Sequence, residues 1–120
     1  MQALLRAAAV ALVLFAPALA YAHAQLRRAE PPVGGTVRGS PALVELTFSE
    51  ALEPRFSTIA VTDAAGTQVD KRDLHVVLGD AKRLAVSLGA VPPGAYTVVW
   101  HATSVDTHRT EGTFTFSVLP

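Results

Sequence analysis

The side chains of this chain best suited to chemistry are four histidines, at positions 23, 75, 101 and 108. His108 ends an Asp-x-His triplet that begins at Asp106. Residues two apart on an extended segment point to the same side, so this carboxylate and imidazole can serve one metal ion. The same triplet also suits a loop aspartate that caps a turn beside an exposed histidine. Alone, it is a weak indication of a metal site.

His23 gains a second donor if the chain is cut immediately before it. An N-terminal histidine offers its α-amine and its ring Nδ1 to one metal ion, and the two nitrogens close a chelate ring. With Asp106 and His108 it supplies three nitrogens and one oxygen, a tetragonal set that suits Cu(II). We therefore predict a metal site formed by His23, Asp106 and His108.

The start of the chain predicts such a cut. Arg6 precedes an uninterrupted apolar run at 7–15, and Pro17 and small residues follow. This order is typical of a secretory signal peptide. The alternative is a membrane anchor, but the apolar stretch is interrupted by Pro17 and is short for a span of about 20 residues.

Three overlapping A-x-A-like frames lie between residues 18 and 24. The frame at 20–22 ends the apolar region cleanly and leaves His23 as the first mature residue. We expect residues 1–22 to be a cleaved signal peptide and residues 23–120 to form one exported domain.

Composition limits the chemistry of that domain. The chain has no cysteine, which excludes disulfides, thiolate metal sites and cysteine nucleophiles. Its one methionine, Met1, lies in the expected signal, so only nitrogen and oxygen remain as ligands. Ten basic residues balance ten acidic ones, so the sequence lacks the excess of positive charge that is typical of nucleic-acid-binding proteins. Motifs of nucleotide-binding proteins, serine hydrolases and zinc peptidases are absent from the sequence.

Alternation of apolar and polar residues predicts the elements that position these ligands. Clusters of Pro, Gly, Asp and Ser separate the alternating segments and supply turns. Short strands at this spacing predict an all-β fold, a small sandwich or barrel. One further strand is expected around 74–78, and a short turn within 49–55. The alternating apolar positions are Val44, Leu46 and Phe48; Ile59 and Val61; Leu84, Val86 and Leu88; Tyr96, Val98 and Trp100; Phe114, Phe116 and Val118.

We expect the two other histidines, His75 and His101, at the protein surface. His101 follows Trp100 and alternates away from it, so it is expected on the solvent side of the sheet, or beside the ligands rather than among them. His75 lies in an apolar run and is expected on a strand surface.

Several motifs resemble those of the CopC family of periplasmic copper-binding proteins. The resemblance covers essentially the whole of residues 23–120 and is weakest at about 68–80. It is most specific towards the end, where the family pattern contains G-x-Y-x-V-x-W, then S-x-D-x-H, G and F. The matching segments are His23-Ala24-Gln25-Leu26 with Pro31; the P-x-x-V-x-L-x-F-S-E strand at 41–50; and residues 93–100, 104–108, Gly112 and Phe114.

The resemblance implies a Greek-key β-sandwich or barrel, Ig-like or cupredoxin-like. It also implies one Cu(II) ion per mature chain, bound by the amine and imidazole of His23 with Asp106 and His108. Some members bind Cu(I) through a methionine-rich loop, which this chain lacks. Relatives often carry Arg or Lys where this chain has His101.

The function expected from these features is that of a monomeric periplasmic Cu(II) carrier, buffer or sequestering module, not an enzyme. An inner-membrane CopD-type copper transport protein is the partner that the resemblance implies. Two alternatives remain open. One is an oxidative copper enzyme with a histidine brace, and the other is a metal-free β-sandwich interaction domain, favoured if the mature chain begins at Tyr21 or Gln25.

Overall fold

The computed structural model describes residues 23–120, so the expected signal peptide at 1–22 lies outside the described residues. The described part contains eight β-strands and one 3-10 turn at Pro54–Phe56, and within it there is no α-helix and no helix able to span a bilayer. The strands are β1 (Leu26–Glu30), β2 (Thr36–Arg38), β3 (Leu43–Phe48), β4 (Thr58–Thr62), β5 (His75–Val77), β6 (Asp80–Ser87), β7 (Gly94–Thr103) and β8 (Arg109–Leu119).

The strands form two four-stranded sheets. The first sheet has the order β1-β3-β6-β5 and the second has the order β2-β8-β7-β4. Neighbours are antiparallel except for β2 and β8, which run parallel. The prediction of an all-β sandwich is confirmed, as is a strand near 74–78. The short turn predicted within 49–55 lies at Pro54–Phe56, at the end of that segment and one residue beyond it.

The alternating apolar residues fill the space between the sheets, where burial of apolar surface stabilises the fold. Phe48 of the first sheet packs edge to face against Trp100 of the second, with ring centroids 5.1 Å apart. Gly112 lies opposite Trp100 on β8. A Cβ atom at Gly112 would come within 2.5 Å of the indole ring, so this close approach requires glycine.

Tyr96 fixes the start of β7. Its hydroxyl donates a hydrogen bond to the carbonyl of Pro92, four residues upstream. Its ring stacks on Phe116 at a centroid distance of 5.5 Å. Burial raises the pKa of the Tyr96 phenol, because the ionised form would lose its hydration.

Asp70 is a buried carboxylate that sequence patterning did not identify. Its residue is 8% exposed. One oxygen accepts a hydrogen bond from the Val61 N–H at 2.8 Å, and the other accepts from the Arg72 N–H at 3.1 Å and the Gln68 amide at 3.2 Å. Asp70 thereby ties the loop before β5 to the edge of β4.

Candidate metal centre

A long hairpin carries the Asp-x-His triplet. Strands β7 and β8 pair from Gly94 with Val118 to Thr103 with Arg109, and residues 104–108 form the loop between them. The Ser104 N–H donates to the His108 carbonyl at 2.9 Å, which closes this loop. The paired strands β7 and β8 therefore hold the loop at one end of the sandwich.

Within the loop, the Asp106 and His108 side chains meet. Asp106 Oδ2 lies 3.1 Å from His108 Nδ1. The intervening Thr107 has a φ of +74°, in the left-handed region that few non-glycine residues adopt. The extended backbone predicted for residues 106–108 is therefore wrong, because the chain turns at Thr107. The turn nevertheless places the carboxylate and the imidazole together.

Ser104 fixes the Asp106 carboxylate. The serine is fully buried, and its hydroxyl donates a hydrogen bond to Asp106 Oδ1. This bond, together with the His108 ring, lowers the pKa of Asp106 to about 2, since both favour the ionised form. The carboxylate therefore stays negative well below neutral pH, and the bond from Ser104 orients it. Sequence reasoning gave Ser104 no role, although it belongs to the quoted S-x-D-x-H pattern.

His23 lies beside this pair. Its ring centroid is 4.6 Å from that of His108, and the two ring planes meet at 80°. The next residue, Ala24, is 1% exposed and belongs to the core. The structure thus brings together the three residues that the sequence predicted as ligands, with His23, Asp106 and His108 all exposed at the surface.

The donors are near one another, but they do not surround a common point. Among residues 23–120, no three His, Cys, Asp or Glu side chains are already arranged around one metal position. His108 Nδ1 faces Asp106, and the His23 nitrogen is joined to Ala22 by a peptide bond in the full-length chain. Two imidazoles and a carboxylate, with no sulfur, are donors that suit Cu(II).

His101 lies outside this cluster, on the outer face of the second sheet. Its side chain is 56% exposed whereas Trp100 is 7% exposed, as alternation predicted. Its Nε2 lies 3.1 Å from Glu111 Oε2, and its Nδ1 lies 3.3 Å from Thr58 Oγ1. These three residues line a groove of about 530 Å³.

His75 is on the exposed edge strand β5, in agreement with the predicted surface position. Its Nδ1–H donates to the carbonyl of Asp73 at 2.9 Å. It therefore has a local structural partner of its own, on the sheet that does not carry the Asp-x-His loop.

The chain matches the model of a known protein family and is similar to known proteins. The model of the CopC domain matches residues 26–119. Protein YobA of Escherichia coli K12 is 37% identical over 99 residues, which cover 82% of this chain and 80% of YobA.

Two crystal structures are similar to the fold described above. CopC from Methylosinus trichosporium OB3b superposes with a TM-score of 0.76 at 31% identity, covering 82% of this chain and 95% of that protein. PcoC, a methionine-rich copper resistance protein from Escherichia coli, superposes with a TM-score of 0.72 at 30% identity, covering 82% of this chain and all of PcoC.

Proposed function

This chain belongs to the CopC family, and we propose that it binds Cu(II) in the periplasm as a carrier, buffer or sequestering module. It is a copper-binding protein of copper homeostasis, as the matched domain and the copper resistance protein PcoC support. Copper is its cargo. The observation that carries the detailed proposal is the contact of the His23 ring with His108, which itself faces Asp106.

One Cu(II) ion is bound by four donors. These are the α-amine and the imidazole of His23, the imidazole of His108 and the carboxylate of Asp106. Metal binding replaces the present contact between the Asp106 carboxylate and the His108 ring. Asp106 is ionised at neutral pH, so no proton has to leave this carboxylate when copper enters, and the bond from Ser104 holds it in place.

The α-amine donor depends on processing of the chain. In the full-length sequence the His23 nitrogen is an amide, and amide nitrogens are poor metal ligands unless they lose a proton. Removal of residues 1–22 as a signal peptide creates the amine and delivers residues 23–120 to the periplasm. The apolar run at 7–15 and the small residues before His23 support this processing.

The absence of sulfur donors supports Cu(II) over Cu(I). PcoC is described as methionine-rich, whereas the whole of this chain has one methionine, at position 1. Thioether ligands select Cu(I), and imidazole suits Cu(II). A role that alternates between Cu(I) and Cu(II) sites within the chain is therefore not part of the proposal.

Binding rather than catalysis fits the donor set. Four protein donors complete a square of ligands, whereas catalytic metal sites usually keep a position open. A histidine-brace enzyme acting on polysaccharide also needs a surface of exposed aromatic side chains, but Tyr96 and Trp100 are buried, and the exposed Phe56 lines the groove beside His101. The comparisons favour neither this enzyme nor a metal-free interaction domain.

The exposed site allows direct transfer of copper to a partner. We infer that the partner is an inner-membrane CopD-type copper transport protein, and that this chain acts as a monomer. His23 and His108 are both exposed at the surface, so an acceptor can approach the ligands without opening of the core.

One added residue tests this function. Mature protein beginning at His23 is compared with the same protein carrying one glycine before His23, by titration of Cu(II) against a competing chelator. We expect the extension to weaken binding at least tenfold, because it separates the amine from the imidazole. Equal affinities would contradict the chelate at His23. An extension at the C-terminus, after Pro120, is the matched control.

A further inference from the structure

The segment that follows His23 is attached to both sheets. Ala24 is buried, and its carbonyl accepts a hydrogen bond from the hydroxyl of Thr110 at 2.8 Å. Thr110 belongs to β8, in the second sheet. Gln25 instead bonds to Ser49, which follows β3 of the first sheet: the Gln25 N–H donates to Ser49 Oγ, and the Ser49 N–H donates to the Gln25 carbonyl, both at 2.8 Å.

These two attachments differ in what they position. The Ser49 bonds continue the pairing of β1 with β3 and stay within one sheet. The Thr110 bond crosses to the other sheet and ends on the strand that begins directly after His108. It therefore joins the backbone beside one proposed ligand to the strand that carries another.

We propose that the Thr110 hydroxyl is a positioning group for copper: it holds the Ala24 carbonyl so that His23 stays beside His108 and Asp106. The inference rests on the proposed function. A chain terminus is usually poorly ordered unless it is tied down, and an ordered ligand loses less freedom when it binds. In the mature chain His23 is the only residue before Ala24. The anchor at the Ala24 carbonyl therefore limits where both His23 donors can lie.

Three variants of the mature protein test this role. Thr110→Val keeps the shape of the side chain and removes the hydroxyl, Thr110→Ser keeps the hydroxyl, and Thr113→Val makes the same change at an exposed position of β8. We expect Thr110→Val to weaken Cu(II) binding by about tenfold, the lower end of the effect of outer partners on metal sites. Thr110→Ser and Thr113→Val should stay close to the original affinity.

A second measurement separates positioning from general destabilisation. Thr110→Val leaves a buried carbonyl without its partner, so some loss of stability is expected in the metal-free protein. We therefore combine it with His23→Ala in a double-mutant cycle. In His23→Ala only the α-amine of residue 23 remains to be positioned, so Thr110→Val should have a smaller further effect on copper binding there than in the original protein. Backbone amide order at residues 24 and 25, measured by NMR without copper, should fall in Thr110→Val alone.

The outcomes distinguish this inference from the function on which it rests. Equal Cu(II) affinity of Thr110→Val and the original protein, with weak binding by His23→Ala, would overturn the role of Thr110 alone. An equal loss on both backgrounds would overturn it too, because the effect would not pass through His23. If His23→Ala binds copper as tightly as the original protein, the proposed function itself fails.

Discussion

The rings of His23 and His108 meet edge to face, 4.6 Å apart, although one stands at the start of the described chain and the other in its last hairpin. Nothing in the local sequence requires this contact. It arises because the residues after His23 enter the core and pair with β3, while β7 and β8 carry His108 to the same end of the sandwich.

Removal of the His108 ring should abolish high-affinity copper binding. We expect His108→Ala to weaken Cu(II) binding by at least 100-fold, because it removes a nitrogen donor and leaves the other three incomplete. His101→Ala is the matched control, since His101 contacts Glu111 and Thr58 rather than the site. Competition titration of both variants checks the prediction. Comparable losses in both would place His101 among the ligands.

Copper binding should weaken as the pH falls from 8 to 5. Amine and imidazole nitrogens gain protons in this range, and protons compete with the metal. Asp106 has a pKa of about 2 and stays ionised throughout. Asp106→Asn should therefore bind copper more weakly at each pH and still lose it as the pH falls. Affinities that do not change between pH 8 and pH 5, measured by chelator competition, would contradict nitrogen ligands.

The same carboxylate should influence the stability of the metal-free protein in acid. Its pKa is lowered from 3.8 to about 2 on folding, so it contributes stability above pH 3.8 that is lost as the pH falls through 2. The difference in Tm between the original protein and Asp106→Asn should shrink over that interval. Thermal melts followed by circular dichroism at pH 5, 3.5 and 2 measure it. A constant difference would argue against the bond from Ser104 as the cause.

Asp70 should contribute to stability without affecting copper. Asp70→Ala leaves the buried Val61 N–H without its acceptor, which costs about 1–3 kcal/mol. Urea unfolding measures this loss, and Asp63→Ala is the comparison, at a half-buried turn aspartate whose bonds from the Ala65 and Thr67 N–H groups are exposed to solvent. Copper affinity should be unchanged because Asp70 lies in the loop before β5. A large effect on copper would mean that the loop before β5 is coupled to the metal centre.

Gly112→Ala should destabilise the fold by about 1–3 kcal/mol, the usual cost of overpacking. The new methyl group would lie 2.5–2.8 Å from three atoms of the Trp100 indole, which must move. Gly89→Ala is the matched control, because a Cβ at Gly89 meets nothing within 4 Å. Chemical denaturation with tryptophan fluorescence reports both the stability and the position of the indole. Equal stabilities would show that β8 can shift at no cost.

The strands were predictable because one face of each is buried and the other is wet. Val44, Leu46 and Phe48 are buried as their alternation requires, and Trp100 and His101 lie on opposite faces. The alternation of apolar and polar residues along a strand repeats every two residues, so a short stretch of sequence is enough to show it.

The contacts that assemble the proposed site could not be predicted from the sequence in this way. The bond from Thr110 to Ala24 joins residues far apart in sequence. The left-handed backbone at position 107 belongs to a threonine, and only a glycine there would have indicated this conformation in the sequence. The residue types and the resemblance both predicted His23, Asp106 and His108 as ligands. Neither predicted the hydroxyl groups of Ser104 and Thr110 that bond beside them.

The two sheets contribute different parts of the proposed site: His23 precedes β1 of the first sheet, and His108 precedes β8 of the second. An ion held by both residues would cross-link the layers at one edge of the sandwich. The ion would lie where the Ala24 carbonyl already bonds to Thr110, so it would add a second tie between the layers at the same edge.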